Sequence, residues 1–145
     1  MSQLEDFLSK TDEDEIIEAI RISESKTSGE IRIHLESSLQ GNIELHVLEI
    51  FHHLKMDNTK LQNGVLIYVA INNKSFAIYG DKGINQVVES DFWDCTKNTI
   101  QEHFKNGDFK KGLIEGVLNA GKQLQKYFPW EQLNSDELSN EISKA

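Results

Sequence analysis

Cysteine and proline each occur once in this chain of 145 residues. Cys95 alone rules out an intrachain disulfide and a zinc cage of several thiolates. Its expected place is a small buried position on a helix rather than a nucleophilic site. Pro129 is expected to end the last helix. Positive charge is also scarce: 15 Lys and Arg against 24 Asp and Glu leave a formal net charge of −9. Such a surface repels a phosphate backbone, so nucleic acid is not an expected partner. No stretch approaches the roughly 20 apolar residues that span a bilayer. The opening residues MSQLEDFLSKTDEDE lack the basic segment and apolar stretch of an export signal. A cytoplasmic protein with no membrane partner is therefore expected.

What is present, 38% hydrophobic residues over 145 positions, suffices for one compact core and not for two ordinary domains. Thr11, followed by Asp12, Glu13 and Asp14, reads as the cap of a helix over about 12–26. Ile16, Ile17 and Ile20 form its buried stripe. Gly29 breaks that helix, and residues 30–36 alternate apolar and polar as a strand with one buried face, His34 falling among the polar positions. Helical spacing returns over 42–56 with Val47, Leu48, Phe51 and Leu54. His52 and His53 point about 100° apart there and cannot easily share a metal. Residues 65–71 are apolar without alternation, the mark of a strand covered on both faces. A turn at 72–74 and strand formers at 75–79 complete a hairpin. Ser90 or Asp91 is placed to cap a helix ending near Asn106-Gly107, and Asp108 to cap another reaching Tyr127. On the latter, Phe109, Leu113, Val117, Ala120 and Leu124 form the core stripe. Gly112, Gly116 and Ala120 leave a groove for close helix packing. The segment from Trp130 onward is acidic and polar, and is expected to be mobile or weakly helical. The order helix, strand, helix, strand, strand, helix, helix predicts a small sheet between helical layers.

Strand direction turns scattered acids into a candidate site. Strand 30–36, helix 42–56 and strand 65–71 form a βαβ unit, so both strands begin at the same sheet edge. The hairpin returns strand 75–79 to that edge. Glu30, Asp57, Asp81, Asp91 and Asp94 are thereby expected near one another, with Asn58 and Asn63 as carbonyl donors. Clustered carboxylates repel unless a cation neutralises them. All-oxygen ligation favours Ca²⁺, with Mg²⁺ or Mn²⁺ behind it. The blander alternative leaves Asp81 as a turn residue, Asp91 as a helix cap and Glu30 as solvated surface. No EF-hand pattern is present.

Five segments taken in order carry a family resemblance: Thr27-Ser28-Gly29-Glu30-Ile31-Arg32-Ile33-His34, Asn63-Gly64-Val65-Leu66-Ile67-Tyr68-Val69-Ala70, Phe76-Ala77-Ile78-Tyr79-Gly80-Asp81-Lys82-Gly83-Ile84, Asp91-Phe92-Trp93 and Phe104-Lys105-Asn106-Gly107-Asp108-Phe109. Together they resemble the TPM domain over about residues 10–128, leaving 129–145 as a polar tail. The resemblance implies an α/β fold, a three-layer α-β-α sandwich around a small mixed β-sheet, with a site at one sheet edge. It also implies calcium or another divalent metal in some members. Other members are linked to photosystem repair in chloroplasts, and the family carries a phosphatase label. Its members usually add a signal peptide and a membrane anchor, neither of which is expected here. Gly80-Asp81-Lys82-Gly83 departs from the common Gly-x-Gly form by adding a carboxylate at the candidate edge.

Three functions follow as expectations. The first is a stand-alone, metal-responsive structural or regulatory module. The second is a metal-dependent phosphatase in which Arg32, Lys82 or His34 contacts the phosphate. Against it, the sequence has no cysteine–arginine phosphate loop, no Asp-x-Asp-x-Thr nucleophile and no Gly-x-x-x-x-Gly-Lys cradle. The third is a protein-interaction module using Trp130 or helix 42–56.

Overall fold

Four strands hydrogen-bond side by side in the computed structural model, which describes residues 7–130 and 142–144. In chain order the elements are α1 (Lys10–Glu24), β1 (Glu30–Glu36), α2 (Ile43–His53), β2 (Gly64–Ala70), β3 (Ser75–Gly80), the single turn α3 (Lys82–Asn85), α4 (Asp94–Lys105), α5 (Phe109–Tyr127) and β4 (Ser143–Lys144). The sheet order is β3-β2-β1-β4. β1 runs parallel to both β2 and β4, and β3 runs antiparallel to β2. The expected mixed sheet between helical layers is therefore present.

Period-two alternation divides the sheet between two cores. Ile31, Ile33 and Leu35 of β1, with Val65, Ile67 and Val69 of β2, meet α1, α4 and α5. Leu66, Tyr68 and Ala70 of β2 turn the other way, onto Val47 and Phe51 of α2. β2 is buried at every position because helices cover both its faces. A fully buried side chain such as Ile16, Ile20 or Phe51 contributes about 1.5–3 kcal/mol each.

α5 lies between α1 and α4. A β-carbon on Gly112 would sit 2.7 Å from the Phe104 ring, and one on Gly116 would sit 2.6 Å from Ile100 Cγ1, so α4 fills the expected small-residue groove. On the other side Ser23 of α1 donates a hydrogen bond to the Val117 carbonyl at 3.2 Å.

Some local details differ from the pattern in the sequence. Ser9, not Thr11, caps α1: its hydroxyl accepts from Asp12 N at 3.1 Å and the Asp12 carboxylate accepts from Ser9 N at 3.3 Å, which satisfies two helix-end donors at once. α4 starts at Asp94 rather than at Ser90 or Asp91, because Trp93 is drawn into the core and holds the preceding residues in a turn. Phe109 lies at the rim of the core, its ring tilted against Phe7 and edge-on to Phe104. Cys95 is exposed rather than buried.

The C-terminal end also differs. Ser28 N donates to the Phe128 carbonyl at 2.9 Å, and Pro129 bridges to Thr27 as α5 ends. Ser143 and Lys144 then form β4, the fourth strand, where mobile or weakly helical chain was expected. The rest of the tail expected to be mobile or helical, residues 131–141 and 145, lies outside the described residues. No described helix is long and apolar enough to cross a membrane.

Candidate functional site

The βαβ connection and the hairpin bring three chain segments to one sheet edge. Glu30, first in β1, stands opposite Gly64, first in β2, and Gly80, last in β3, stands opposite Val65. Asp81 N then donates to the Gly64 carbonyl at 3.0 Å. Glu30 and Asp81 therefore flank the start of β2, as strand direction required.

This edge is densely packed. Glu30 is 2% exposed, Asn63 1% and Asp81 4%. Asn63 donates from Nδ2 to the Ser28 hydroxyl at 3.2 Å, and its own N–H reaches Thr59 Oγ1 at 3.3 Å. Gly83 N donates to the Gln62 carbonyl at 2.8 Å, and a β-carbon on Gly83 would lie 2.0 Å from the Leu61 carbonyl oxygen. Glycine is required there because backbone passes against backbone. A β-carbon on Gly80 would meet Trp93 Nε1 at 3.2 Å, which places the indole as a lid over the end of β3.

Asp81 is the chemically distinctive group. Its Oδ1 accepts from Lys82 N at 2.7 Å, capping the short turn α3. Its Oδ2 is buried and has no hydrogen-bond partner among the described residues. Trp93 Nε1 is likewise buried without a partner among them. Burial, with the charge of Asp81 added, pushes the Tyr79 hydroxyl above its ordinary range. The carboxylate therefore acts electrostatically on its surroundings.

The other three predicted acids have different positions. Asp57 is exposed, its Oδ2 lying 2.9 Å from His52 Nδ1 on α2. Asp91 and Asp94 are exposed in the turn that enters α4. Among the described residues no group of three or more His, Cys, Asp or Glu side chains is gathered as a metal cage. Glu30 and Asp81 are thus the pair the fold brings to the edge.

A second polar centre, which sequence reasoning passed over, occupies the opposite end of β1. Glu36 Oε1 accepts from the Tyr68 hydroxyl at 2.5 Å and lies 2.6 Å from His46 Nε2. His34 Nε2 stands 3.5 Å from Glu36 Oε2, and His34 Nδ1 pairs with Ser143 Oγ at 2.9 Å. Burial works to raise the Glu36 carboxyl, but hydrogen bonds from Tyr68 and His46 outweigh it and hold the group below its usual range. Burial pushes the His34 imidazole down, and Glu36 restores only part of the shift. Tyr68 is pushed upward by burial and by its bond to Glu36. The available signal was the spacing of His34 and Glu36, two residues apart and so on one face of a strand.

Residues 1–123 match the profile of the TPM domain. The solution structure of the BA42 protein from the psychrophilic bacterium Bizionia argentinensis is 56% identical over 100% of both chains, with a TM-score of 0.93. The N-terminal domain of a P. gingivalis protein is 20% identical across 84% of this chain and 79% of that one, with a TM-score of 0.70. The N-terminal domain of the cg2496 protein from Corynebacterium glutamicum is 15% identical across 95% of this chain and 80% of that one, with a TM-score of 0.59. These last two share the fold alone. A search of curated proteins returned no match.

Proposed function

The chain belongs to the TPM domain family, and we propose that it is a divalent-cation-binding module, calcium being preferred over Mg²⁺ or Mn²⁺, with its site where β1 begins and β3 ends. The carrying observation is Asp81 Oδ2, a buried carboxylate oxygen with no hydrogen-bond partner among the described residues. Leaving such a group unsatisfied costs about 1–3 kcal/mol, more when it is charged. A hard cation removes that cost, and one that accepts six to eight oxygens can combine a carboxylate with backbone carbonyls, amide oxygens and water. A cage of three acids is therefore not required.

Asp81 is the principal ligand in this reading, with Glu30 beside it. Asp57, Asp91 and Asp94, also expected as ligands, are exposed and lie apart from that pair, Asp57 against His52 and Asp91 and Asp94 at the entry to α4, so they are not ligands in this reading. Binding would tie the loops 57–64 and 80–91 together and make the shape of the edge respond to ion level, a structural or regulatory role. Phosphate-ester hydrolysis is the weaker reading. His34, one of its candidate phosphate contacts, lies four residues along β1 from Glu30, about 13 Å away, and is engaged with Ser143.

Thermal melts in EDTA and in millimolar Ca²⁺, with titration calorimetry, test the proposal. At a hundredfold excess over Kd, linkage adds about 2.7 kcal/mol, a rise of several degrees in Tm. Asp81→Asn is expected to abolish that rise. An unmoved Tm and no binding heat for the wild type would sink the reading.

A further inference from the structure

The register between β1 and β4 sets a serine, a histidine and a carboxylate in line. Ser143 stands opposite His34, and alternation places Glu36 next on the same face of β1. Ser143 Oγ lies 2.9 Å from His34 Nδ1. With the hydroxyl donating, Nδ1 is the proton acceptor and Nε2 carries the ring proton, 3.5 Å from Glu36 Oε2 and without a hydrogen bond among the described residues. That separation is long for a hydrogen bond, and contacts between a base and its orienting carboxylate commonly tighten only once substrate is bound. Glu36 is itself fixed by Tyr68 and His46. Lys144, the next residue of β4, ion-pairs with Glu13 of α1 at 2.9 Å and so helps pin the strand.

Access differs along this line. His34 is 3% exposed, whereas Ser143 is half-buried at the wall of a cavity of 430 Å³. Ile50 of α2 and Leu54 just after it supply apolar wall, with Glu49, His53 and Lys144 beside them. A nucleophile, a buried neutral base, an orienting carboxylate and an adjoining cavity are the parts from which nucleophilic hydrolysis is built.

We propose that Ser143, His34 and Glu36 form a hydrolytic centre, separate from the cation edge, that acts on small uncharged carboxylic esters. Ser143 Oγ forms a bond to the ester carbonyl carbon while its proton passes to His34 Nδ1. The tetrahedral intermediate collapses with cleavage of the ester C–O bond, and His34 returns the proton to the departing alcohol. Water then attacks the acyl-serine with His34 as base, releasing the acid and restoring Ser143. Ser143 and His34 are the catalytic residues. Glu36 is a positioning residue, holding the tautomer and stabilising the imidazolium. The size of the cavity and its Ile50–Leu54 side suit acyl groups of a few carbons.

The full chain is treated with a fluorophosphonate probe, the adduct is mapped by mass spectrometry, and steady-state turnover of p-nitrophenyl acetate and butyrate is measured with and without EDTA. The expected results are an adduct on Ser143, turnover unchanged by EDTA, and a loss of at least a hundredfold in Ser143→Ala with its fold verified by melting. Glu36→Gln should keep the adduct, lower turnover about tenfold and move the acid limb of the pH–rate profile to lower pH, because the charge that raises the His34 pKa is gone. A purely structural carboxylate would not move that limb. No adduct on the folded wild type, turnover within twofold of wild type in Ser143→Ala, or turnover abolished by EDTA would each overturn the proposal. A lower Tm with unchanged turnover in Ser143→Ala would make the contact a strand latch and overturn it as well. The wild-type labelling stands even where a variant fails to fold. It also fails or succeeds independently of the calcium melts.

Discussion

The two ends of β1 carry buried acids in contrasting surroundings. At the far end Glu36 accepts from the Tyr68 hydroxyl and is approached by His46 and His34, so its carboxylate finds its partners within the fold. At the near end, beside Glu30, Asp81 uses one oxygen to cap α3 and keeps the other buried with no hydrogen-bond partner among the described residues. The same sheet thus satisfies one carboxylate with side chains and leaves the other incompletely satisfied. Satisfied buried networks hold a unique geometry and orient protons. An unsatisfied buried oxygen is costly and leaves room for an external cation. On the two proposals above, proton chemistry belongs to one end and ion binding to the other.

The largest expected effect tests whether the near end has any slack. In Gly83→Ala the new β-carbon would lie 2.0 Å from the Leu61 carbonyl, backbone that cannot move without dragging the 57–64 loop. A loss of more than about 3 kcal/mol in urea unfolding is expected. A loss below 1 kcal/mol would show the edge to be pliable. Next comes Glu36→Ala, which strands the Tyr68 hydroxyl in a buried site and removes the partner of two histidines. About 2–3 kcal/mol should be lost on unfolding. A neutral result would break the contrast between the ends.

Acidification should act on the far end by smaller steps. His34 faces Glu36, Arg32, His46 and Ser143, and its folded pKa is lowered from 6.5. Below pH 6.5 the unfolded chain takes up a proton that folded His34 does not, so stability falls as pH drops from there toward the lowered value. The slope is at most about 1.4 kcal/mol per pH unit. Glu36, lowered from 4.5, contributes stability that is full above 4.5 and disappears as pH falls through its folded value. Urea melts between pH 7.5 and about 2.5 measure both, and His34→Gln should flatten the first segment. The smallest effect belongs to Asp81→Asn in EDTA. With no cation present, removing a buried charge should change stability by less than about 1 kcal/mol in either direction. A large loss there would make Asp81 a structural acid and weaken its assignment as a ligand.

Much of this arrangement was legible in the sequence because hydrophobic periodicity and chain direction are local properties. Alternation over 30–36, the unbroken apolar run 65–71 and the short link at 72–74 sufficed to orient three strands and bring Glu30 and Asp81 to one edge. The positions of Asp57, Asp91 and Asp94 were less legible. Loop acids take whichever partner lies nearest, as Asp57 takes His52, and the entry to α4 is set by the burial of Trp93 rather than by the capping preference of Asp91. Cys95 was misplaced for a related reason, since its exposure depends on how α5 sits against α4.

The far end was the least legible. A two-residue strand has no periodicity to read, and Ser143 lies 109 positions from His34. Their pairing exists only once β1 presents its outer edge and the chain end returns to it. The sequence alone determined the family, the two-sided sheet and the acids that chain direction carries to its near edge, because these follow from side-chain patterning and short connections. Only the tertiary structure decided which carboxylates are buried, which oxygen of Asp81 goes without a hydrogen bond, and that a serine meets His34 and Glu36. Burial and hydrogen-bond partnership depend on contacts between segments far apart in the chain.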